Sequence, residues 1–350
     1  MKKRNALYIL SLLLALIQLG SHAQTIGGNS SYNFLKLPGG PQNTALGGIN
    51  ISNQNKDINI ANQNPALLRD SMDAQLSASF NAFFAGIGNY HLMYVKNIPP
   101  LKMQLAAAVI FFNYGKTTAT DAAGNIMGSF HPMDYVVTIS AAQEFKPQWH
   151  YGINLKYIQS AYGQYTSNGI AGDFGITYTD ENKFIQVGFL AKNMGSQIKA
   201  YGTEKEDLPF DVQLGFSKKL SSIPLQFSIT LHHLHQFDIR YQDSTFNENI
   251  YSDNSANKKF TTDKIFRHVV LATQFYIGDK IELTVGYNHL RRTELKISSG
   301  SNGFNGMSFG LGVLFNKIQF RYATGYYQNT KGYHQFGINM NLREYFNWKQ

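Results

Sequence analysis

The feature of this sequence that most restricts its fold is a strict alternation between apolar and polar residues. Between Leu225 and Tyr241, every odd position carries an apolar or aromatic side chain, and mostly polar side chains such as Gln226 and Asp238 lie between them. A repeat of two residues is that of a β-strand, whose successive side chains point to opposite faces. We therefore expect a long strand with one apolar face and one polar face.

The same pattern recurs about fourteen times along the chain. The predicted strands span residues 73–83, 86–96, 101–113, 132–144, 148–159, 168–179, 182–194, 207–219, 223–241, 263–278, 280–296, 304–316, 317–327 and 332–343. Together they predict an all-β fold, a transmembrane antiparallel β-barrel of about 14 strands with lipid outside and a wet lumen inside.

The composition is also typical of a barrel in lipid. Aromatic residues make up 14% of the chain and charged residues only 15%, against about 25% charged residues in an aqueous protein. Beyond the N-terminal region, no apolar stretch approaches the ~18 residues of a spanning helix. The net charge is +9, but the Lys and Arg residues are scattered, which argues against a nucleic-acid partner and suits anionic lipid head groups or an acidic glycolipid.

The connections between the predicted strands alternate between short and long. The short ones lie near residues 97–100, 145–147, 179–181, 220–222, 278–279 and 315–317, and the longest of the others are 114–131, 195–206 and 242–262. Outer-membrane barrels have short periplasmic turns and long outer loops, so this rhythm predicts the orientation of the barrel and a periplasmic N-terminus. The first hairpin, near Phe84 and Ala85, is a short outer connection.

The N-terminus predicts export. Residues 1–23 contain three basic residues, an apolar run from Ala6 to Leu19 and a Ser21-His22-Ala23 cleavage site, which together indicate a signal peptide rather than a membrane span. The exported chain has no cysteine and hence no disulfide. Residues 73–346 are predicted to form the barrel, and residues 347–350 a C-terminal tail.

Residues 24–72 do not alternate and are rich in Asn and Gly. Within them, Asn64 followed by Pro65 and Ala66 is typical of a helix N-cap with proline at the first helical position. A polar segment of this length is expected to fill the lumen as a plug, because a barrel of this size encloses enough space; the alternative is that it lies in the periplasm.

The sequence predicts no catalytic residue, cofactor or metal. Gly306-Met307-Ser308-Phe309-Gly310 matches the sequence motif of a nucleophile elbow, but it lies inside an alternating strand instead of a strand-to-helix turn. His232, His233 and His235 resemble a metal cluster, yet on a strand His233 and His235 point one way and His232 the other. No carboxylate lies at ligand spacing on the same face, so we expect an interfacial belt, and we expect His289 to face outward as well.

Charged residues on the predicted lumen faces are expected to pair with one another or with the plug, rather than to act as catalytic carboxylates. They are Lys102, Lys156, Asp173, Lys192, Asp211, Asp238, Arg240, Glu282, Lys317 and Arg321.

Several motifs resemble known families. Ala45-Leu46-Gly47-Gly48, followed by Asp57 and by Asn64-Pro65-Ala66-Leu67-Leu68, resembles the N-terminal pattern of the FadL-like outer-membrane barrels. Other stretches resemble one branch, the PorQ-like proteins of the type IX secretion system of Bacteroidetes. These stretches contain Asn113-Tyr114-Gly115, Leu208-Pro209-Phe210-Asp211, Leu231 with His232, His233, Leu234 and His235, and Tyr287, Asn288 and His289 with Arg291 and Arg292.

The resemblance implies a fourteen-stranded barrel with an N-terminal plug and a non-enzymatic role in the attachment complex. There a PorQ-like barrel anchors a PorZ-like surface protein that binds lipopolysaccharide, beside a PorU-like sortase and a PorV-like barrel. The alternative is a FadL-like transporter of hydrophobic small molecules, against which the largely polar lumen faces weigh.

Overall fold

The computed structural model describes residues 30–53, 55, 57–83, 86–239, 262–294, 303–326 and 332–346. Within them the backbone forms one closed antiparallel barrel of fourteen strands and a separate two-stranded hairpin. The strands follow one another around the barrel in chain order, and closure comes from β1 pairing with β16, where Gln75 lies opposite Asn341. The predicted fold class and strand count are confirmed. The predicted signal peptide and C-terminal tail lie outside the described residues.

The barrel and the hairpin account for all the strands of the described ranges. They are β1 (Gln75–Ala82), β2 (Gly88–Ile98), β3 (Met103–Asn113), β4 (Thr117–Thr120), β5 (Ile126–Phe130), β6 (Met133–Lys146), β7 (Trp149–Tyr162), β8 (Tyr165–Asp180), β9 (Ile185–Lys199), β10 (Asp211–Lys219), β11 (Leu225–Leu231), β12 (Val269–Ile277), β13 (Ile281–Asn288), β14 (Met307–Leu314), β15 (Ile318–Tyr326) and β16 (Gly332–Asn341).

Short helices occupy the segments between and before the strands. The α-helices are α1 (Pro41–Ala45), α2 (Thr262–Phe266), α3 (His289–Glu294) and α4 (Leu342–Phe346), and the 3-10 helices are Asn33–Lys36, Ile58–Asn62, Pro65–Leu67, Asp70–Met72 and Pro99–Leu101. None of the helices in the described part of the chain is long and apolar enough to cross a membrane.

The alternation separates the two faces of the barrel wall as the sequence predicts. On β7, Leu155 is 64% exposed on the outer surface, whereas its neighbours Asn154 and Lys156 are buried in the lumen. The same alternation of apolar side chains outside and polar ones inside continues around the barrel, which gives it an outer apolar belt. Such a surface is stable in hydrocarbon, because closure leaves no unpaired strand edge.

The two ends of the barrel differ. The connections at one end are tight, such as those after β6, β8 and β12; we call this the turn end. At the other, the loop end, the β4–β5 hairpin extends from the wall, and long connections join β11 to β12 and β13 to β14. Lys102 and Lys317 lie exposed in turns, so their predicted placement in the lumen is wrong.

Two predicted strands end earlier than expected, and one begins later. β11 stops at Leu231, opposite Val269, because β12 begins only there and offers no partner further along. The expected start of β12 is instead helix α2, where Asp263 and Arg267 form an i,i+4 ion pair. β13 likewise ends at Asn288, and the following residues form α3, so His289 does not continue the outward face of a strand.

Candidate functional site

The described residues between Ser31 and Met72 lie inside the barrel, and we call them the plug. Its side chains are almost all buried, and they contact lumen-facing side chains from many strands. One side of the plug packs by apolar contact against β2, β3 and β6, through a cluster that includes Ile58, Met72, Met93 and Val95. The opposite side is held largely by polar contacts.

Asn64, Pro65 and Ala66 form one of the points where the plug backbone touches the wall. Asn64 caps the 3-10 helix that begins at Pro65, accepting a hydrogen bond from the Ala66 N–H at 3.1 Å, and its amide donates to the Ile51 carbonyl at 2.9 Å. A Cβ at Gly152 of β7 would lie 2.5 Å from the Pro65 carbonyl carbon. Glycine is therefore required there for the plug backbone to touch the strand.

A buried ionic network joins the plug to the opposite wall. The Arg321 guanidinium of β15 lies 3.3 Å from Asp57 of the plug and 3.2 Å from Glu282 of β13. Gln42 of the plug donates to Glu282 at 2.6 Å, and Gln274 does so at the same distance. All the members are buried, so each charge depends on its partners rather than on water.

A second charged group lies nearer the loop end. The Lys156 ammonium donates to Asp173 at 2.8 Å and to Asn193 at 2.9 Å, and Lys192 donates to Gln63 of the plug at 2.9 Å. These residues sit where β8 and β9 change register. The pairing of lumen charges with one another and with the plug is as the sequence predicts for these residues.

An apolar cluster lies at the loop end of the lumen, where the first plug residues meet strands β3 to β8. Its buried members are Tyr32, Phe34, Leu35, Phe112, Val136, Ile158, Ala171 and Leu208. A small cavity of about 20 Å³ separates Phe34 and Leu35 from Val136, and Lys156 and Lys192 border it on the other side. A larger cavity of about 930 Å³ opens at the turn end below the plug, with Glu282 and Arg321 among its polar lining.

The histidine-rich stretch does not have the geometry expected for it. Because β11 has ended and His233 adopts a left-handed φ of 54°, His232 and His233 turn toward each other, with ring centroids 4.8 Å apart. Asp211, at the start of β10, accepts a hydrogen bond from the His233 backbone N–H at 2.6 Å. The expected opposite orientation of the two rings is wrong, and a carboxylate does lie beside them. His235 packs on Phe210, with ring centroids 5.0 Å apart.

The motif after β13 is brought against the plug. Asn288 donates to the Gly47 carbonyl at 3.2 Å, and the Arg291 guanidinium lies so close to Gly48 that it would have to shift to make room for a Cβ. The two motifs containing these residues are far apart in sequence, and their contact could not be read from spacing.

The neighbouring residues of that motif hold α2 and α3 together. The Tyr287 hydroxyl lies 2.9 Å from His289 Nδ1, and His289 Nε2 lies 3.3 Å from the Asp263 carboxylate of α2. Arg292 packs with its Cβ beside Gly306.

Ser308 lies against the plug. Its hydroxyl donates to the plug carbonyl of Ala45 at 3.3 Å, so it belongs to the contact between strand and plug. Gly310, two residues further on, lies against Ala45 itself, where a Cβ would clash with the alanine side chain. The Gly-rich spelling therefore reflects close packing of the plug.

Comparison with known proteins supports the architecture. No protein-family profile and no curated protein matches the sequence. Among solved structures, the chain is similar to the Pseudomonas putida toluene transporter TodX at 11% identity and a TM-score of 0.51, covering 87% of this chain and 96% of that one. It is similar to the monoaromatic hydrocarbon channel CymD at 14% identity and a TM-score of 0.52, covering 89% and 97%. At such identities the likeness shows a common FadL-like barrel fold.

Proposed function

We propose that the protein is an outer-membrane barrel that admits a small hydrophobic molecule from its loop end. The observation that carries this proposal is the apolar cluster at that end, with a cavity between its plug residues and the barrel wall. The outer apolar belt suits the membrane location, and the barrel fold common to TodX and CymD supports a channel.

The cavity has room for about one water molecule, so binding requires the plug side chains to move apart. Phe34 and Leu35 belong to a short 3-10 helix near the start of the plug, and their displacement would leave the rest of the plug attached through its ionic and capping contacts. Entry of an apolar molecule would replace contacts between apolar side chains by similar ones, which keeps the free energy of the exchange small.

The charges beside the cavity favour an uncharged molecule. Lys156 and Lys192 are cations that border it; Asp173 pairs with Lys156, and Lys192 donates to Gln63 and lies on β9 opposite Asp211 of β10. With Lys156 already bound to Asp173, a carboxylate ligand would have to break an existing buried pair. We therefore infer a neutral hydrocarbon rather than a fatty acid as the substrate.

Filling the cavity should abolish uptake. Val136 is 1% exposed and faces the cavity, whereas its neighbour Val137 is 38% exposed on the outer surface of the same strand. We expect Val136→Trp to reduce barrel-dependent uptake of labelled toluene to the background of cells lacking the protein, and Val137→Trp to leave it unchanged. Heat-modified mobility on gels would verify that both barrels are folded.

Uptake of toluene that does not depend on the protein would overturn the transport proposal. Equal loss in the Val136→Trp and Val137→Trp variants would contradict the assigned route. Uptake of a labelled fatty acid that exceeds that of toluene would contradict the inferred neutral substrate.

A second candidate function is favoured by the shape of the loop end. The β4–β5 hairpin stands outside the barrel and exposes Ile126 at 76% and Met127 at 71%, an apolar tip that suits a protein partner. We propose on this ground, and on the motif resemblance, that the barrel can instead serve as a non-enzymatic anchor for a PorZ-like surface protein in a type IX attachment complex with PorU-like and PorV-like subunits.

This anchor role makes a separate prediction. Replacing the tip by the Ile126→Asp/Met127→Asp double variant should release a lipopolysaccharide-binding surface partner into the medium, because charges at an apolar contact remain unpaired. The exposed tip should tolerate the change without loss of barrel folding. The partner would be identified by mild-detergent pull-down and mass spectrometry, and its retention on cells that lack the barrel altogether would exclude this role.

A further inference from the structure

We propose that Asp211, His232 and His233 form a Zn²⁺ site at the loop end of the barrel. The potential ligand atoms of the three residues lie within 4.8 Å of one another. Two come from the stretch that follows β11 and one from the start of β10, so the site would join two neighbouring strands at the base of the longest loop.

The backbone creates this convergence. In a continued strand the two imidazoles would point to opposite faces, but the left-handed φ of 54° at His233 turns both toward Asp211. Two hydrogen bonds join the backbone of His232 to His268. The His232 N–H donates to the His268 carbonyl at 3.0 Å, and His268 Nδ1 donates to the His232 carbonyl at 2.7 Å. The backbone of His232 is therefore held at both its N–H and its carbonyl.

The hydrogen bonding of the imidazoles is incomplete without a further group. The two Nδ1 atoms are 2.6 Å apart, so they can share only one proton between them. His232 is fully buried, and its Nε2 has no hydrogen-bond partner among the described residues. An ion bound between the two Nδ1 atoms would replace the shared proton, and the buried Nε2 would then carry the proton of the neutral imidazole.

The donor set is one that Zn²⁺ prefers. Two imidazole nitrogens and a carboxylate oxygen, with a fourth position for water, are a common arrangement of zinc in proteins, whereas Mg²⁺ and Ca²⁺ require mainly oxygen ligands. The Oδ2 atom of Asp211 lies 3.9 Å from His233 Nδ1, and it also accepts a hydrogen bond from Gln213 at 2.6 Å, which orients the carboxylate.

Only a modest movement is needed to accept the ion. Tetrahedral zinc places its nitrogen ligands about 3.3 Å apart, so the rings must separate by about 0.7 Å from their present contact. The His233 side chain is partly exposed and can rotate, while His232 stays in place. Lys36 and Arg291 are the nearby cations, and their charges oppose the binding of a further cation.

Zinc binding by the purified full-length barrel tests the site. After removal of metals with a chelator, titration calorimetry with ZnCl₂ should give one ion per chain. His233→Ala, which removes a partly exposed side chain, should weaken binding by about 100-fold or more, and His232→Ala and Asp211→Asn by about 10-fold or more. His131→Ala, at an exposed position away from the cluster, should bind as the unaltered protein does.

A second readout separates binding from general stability. Zn²⁺ should raise the temperature at which the unaltered barrel unfolds, and it should not do so for His233→Ala, even if that variant unfolds at the same temperature without metal. No stoichiometric binding by the unaltered protein, or binding retained in His233→Ala, overturns the proposal.

Discussion

Replacing Arg321 by methionine is expected to lower the free energy of unfolding of the barrel by about 3–5 kcal/mol, because it leaves two buried carboxylates without their cation. Asp57 and Glu282 lie at 3.3 Å and 3.2 Å from the guanidinium, and both side chains are buried. Methionine keeps much of the volume of the arginine stem, so the effect reports the charge rather than a cavity. The measurement is the temperature at which the detergent-solubilised barrel changes its mobility on a denaturing gel.

A matched control removes the same charge elsewhere. Lys96 pairs with Asp73 at 3.5 Å, but its side chain is 53% exposed, so Lys96→Met should change the free energy of unfolding by no more than about 1 kcal/mol. The triple variant Asp57→Asn/Glu282→Gln/Arg321→Met should recover a large part of the loss, since it leaves no unpaired buried charge. If Arg321→Met and Lys96→Met destabilise the barrel equally, the buried network does not hold the plug.

The strand count and the two faces of the wall were predictable because they depend on local alternation. Each strand repeats its pattern within a few residues, so Leu155 and Lys156 separate to opposite faces without any information about their neighbours in space. Tight connections such as those after β6 and β8 are also local features, because proline and acidic or polar residues fix the turns.

Strand ends were not predictable in the same way. The alternating pattern continues beyond Leu231, but a strand lasts only as long as a partner pairs with it, and β12 begins at Val269. The orientation of His232 and His233 depends on that ending and on a left-handed residue, which a repeat of two cannot indicate. The candidate metal site therefore requires the structure.

The sequence predicted that charges in the lumen pair, but not which residues pair with each other. The sequence indicates that Glu282 and Arg321 face the lumen, but whether they meet each other, and which plug residue completes them, depends on the position of a segment more than two hundred residues earlier in the chain. The same holds for Asn288 and Gly47, whose contact joins two motifs that the sequence shows separately.

Glycines on the inner wall offer the largest expected effect on permeability. Gly152, Gly188 and Gly286 lie on three strands and face the plug, and a Cβ at Gly286 would lie 2.7 Å from the Leu46 carbonyl carbon. At Gly188 a Cβ would lie 3.1 Å from the carbonyl carbon of Ile51. At these positions the obstacle is the plug backbone, which cannot rotate away as a side chain does.

The triple variant Gly152→Ala/Gly188→Ala/Gly286→Ala is therefore expected to displace the plug and turn a closed barrel into an open pore. A fourteen-stranded wall without its plug encloses a water-filled lumen, so single channels in planar bilayers should show large, steady current steps where the unaltered protein shows none. Added protease should then cleave the plug, while the strands, which keep their own pairing, remain resistant.

The control for this variant is Gly172→Ala on β8, where the added Cβ would make only an ordinary contact, 3.6 Å from the Asn154 carbonyl oxygen. It should remain closed and fold as the unaltered barrel does. If the triple variant shows no channel current and its unfolding temperature is unchanged, the plug does not rest against these strands. If the triple variant instead shows no channel current and a large loss of folded barrel, the plug cannot leave the lumen without unfolding the wall. This is the behaviour expected if the Arg321 network is stronger than the glycine contacts.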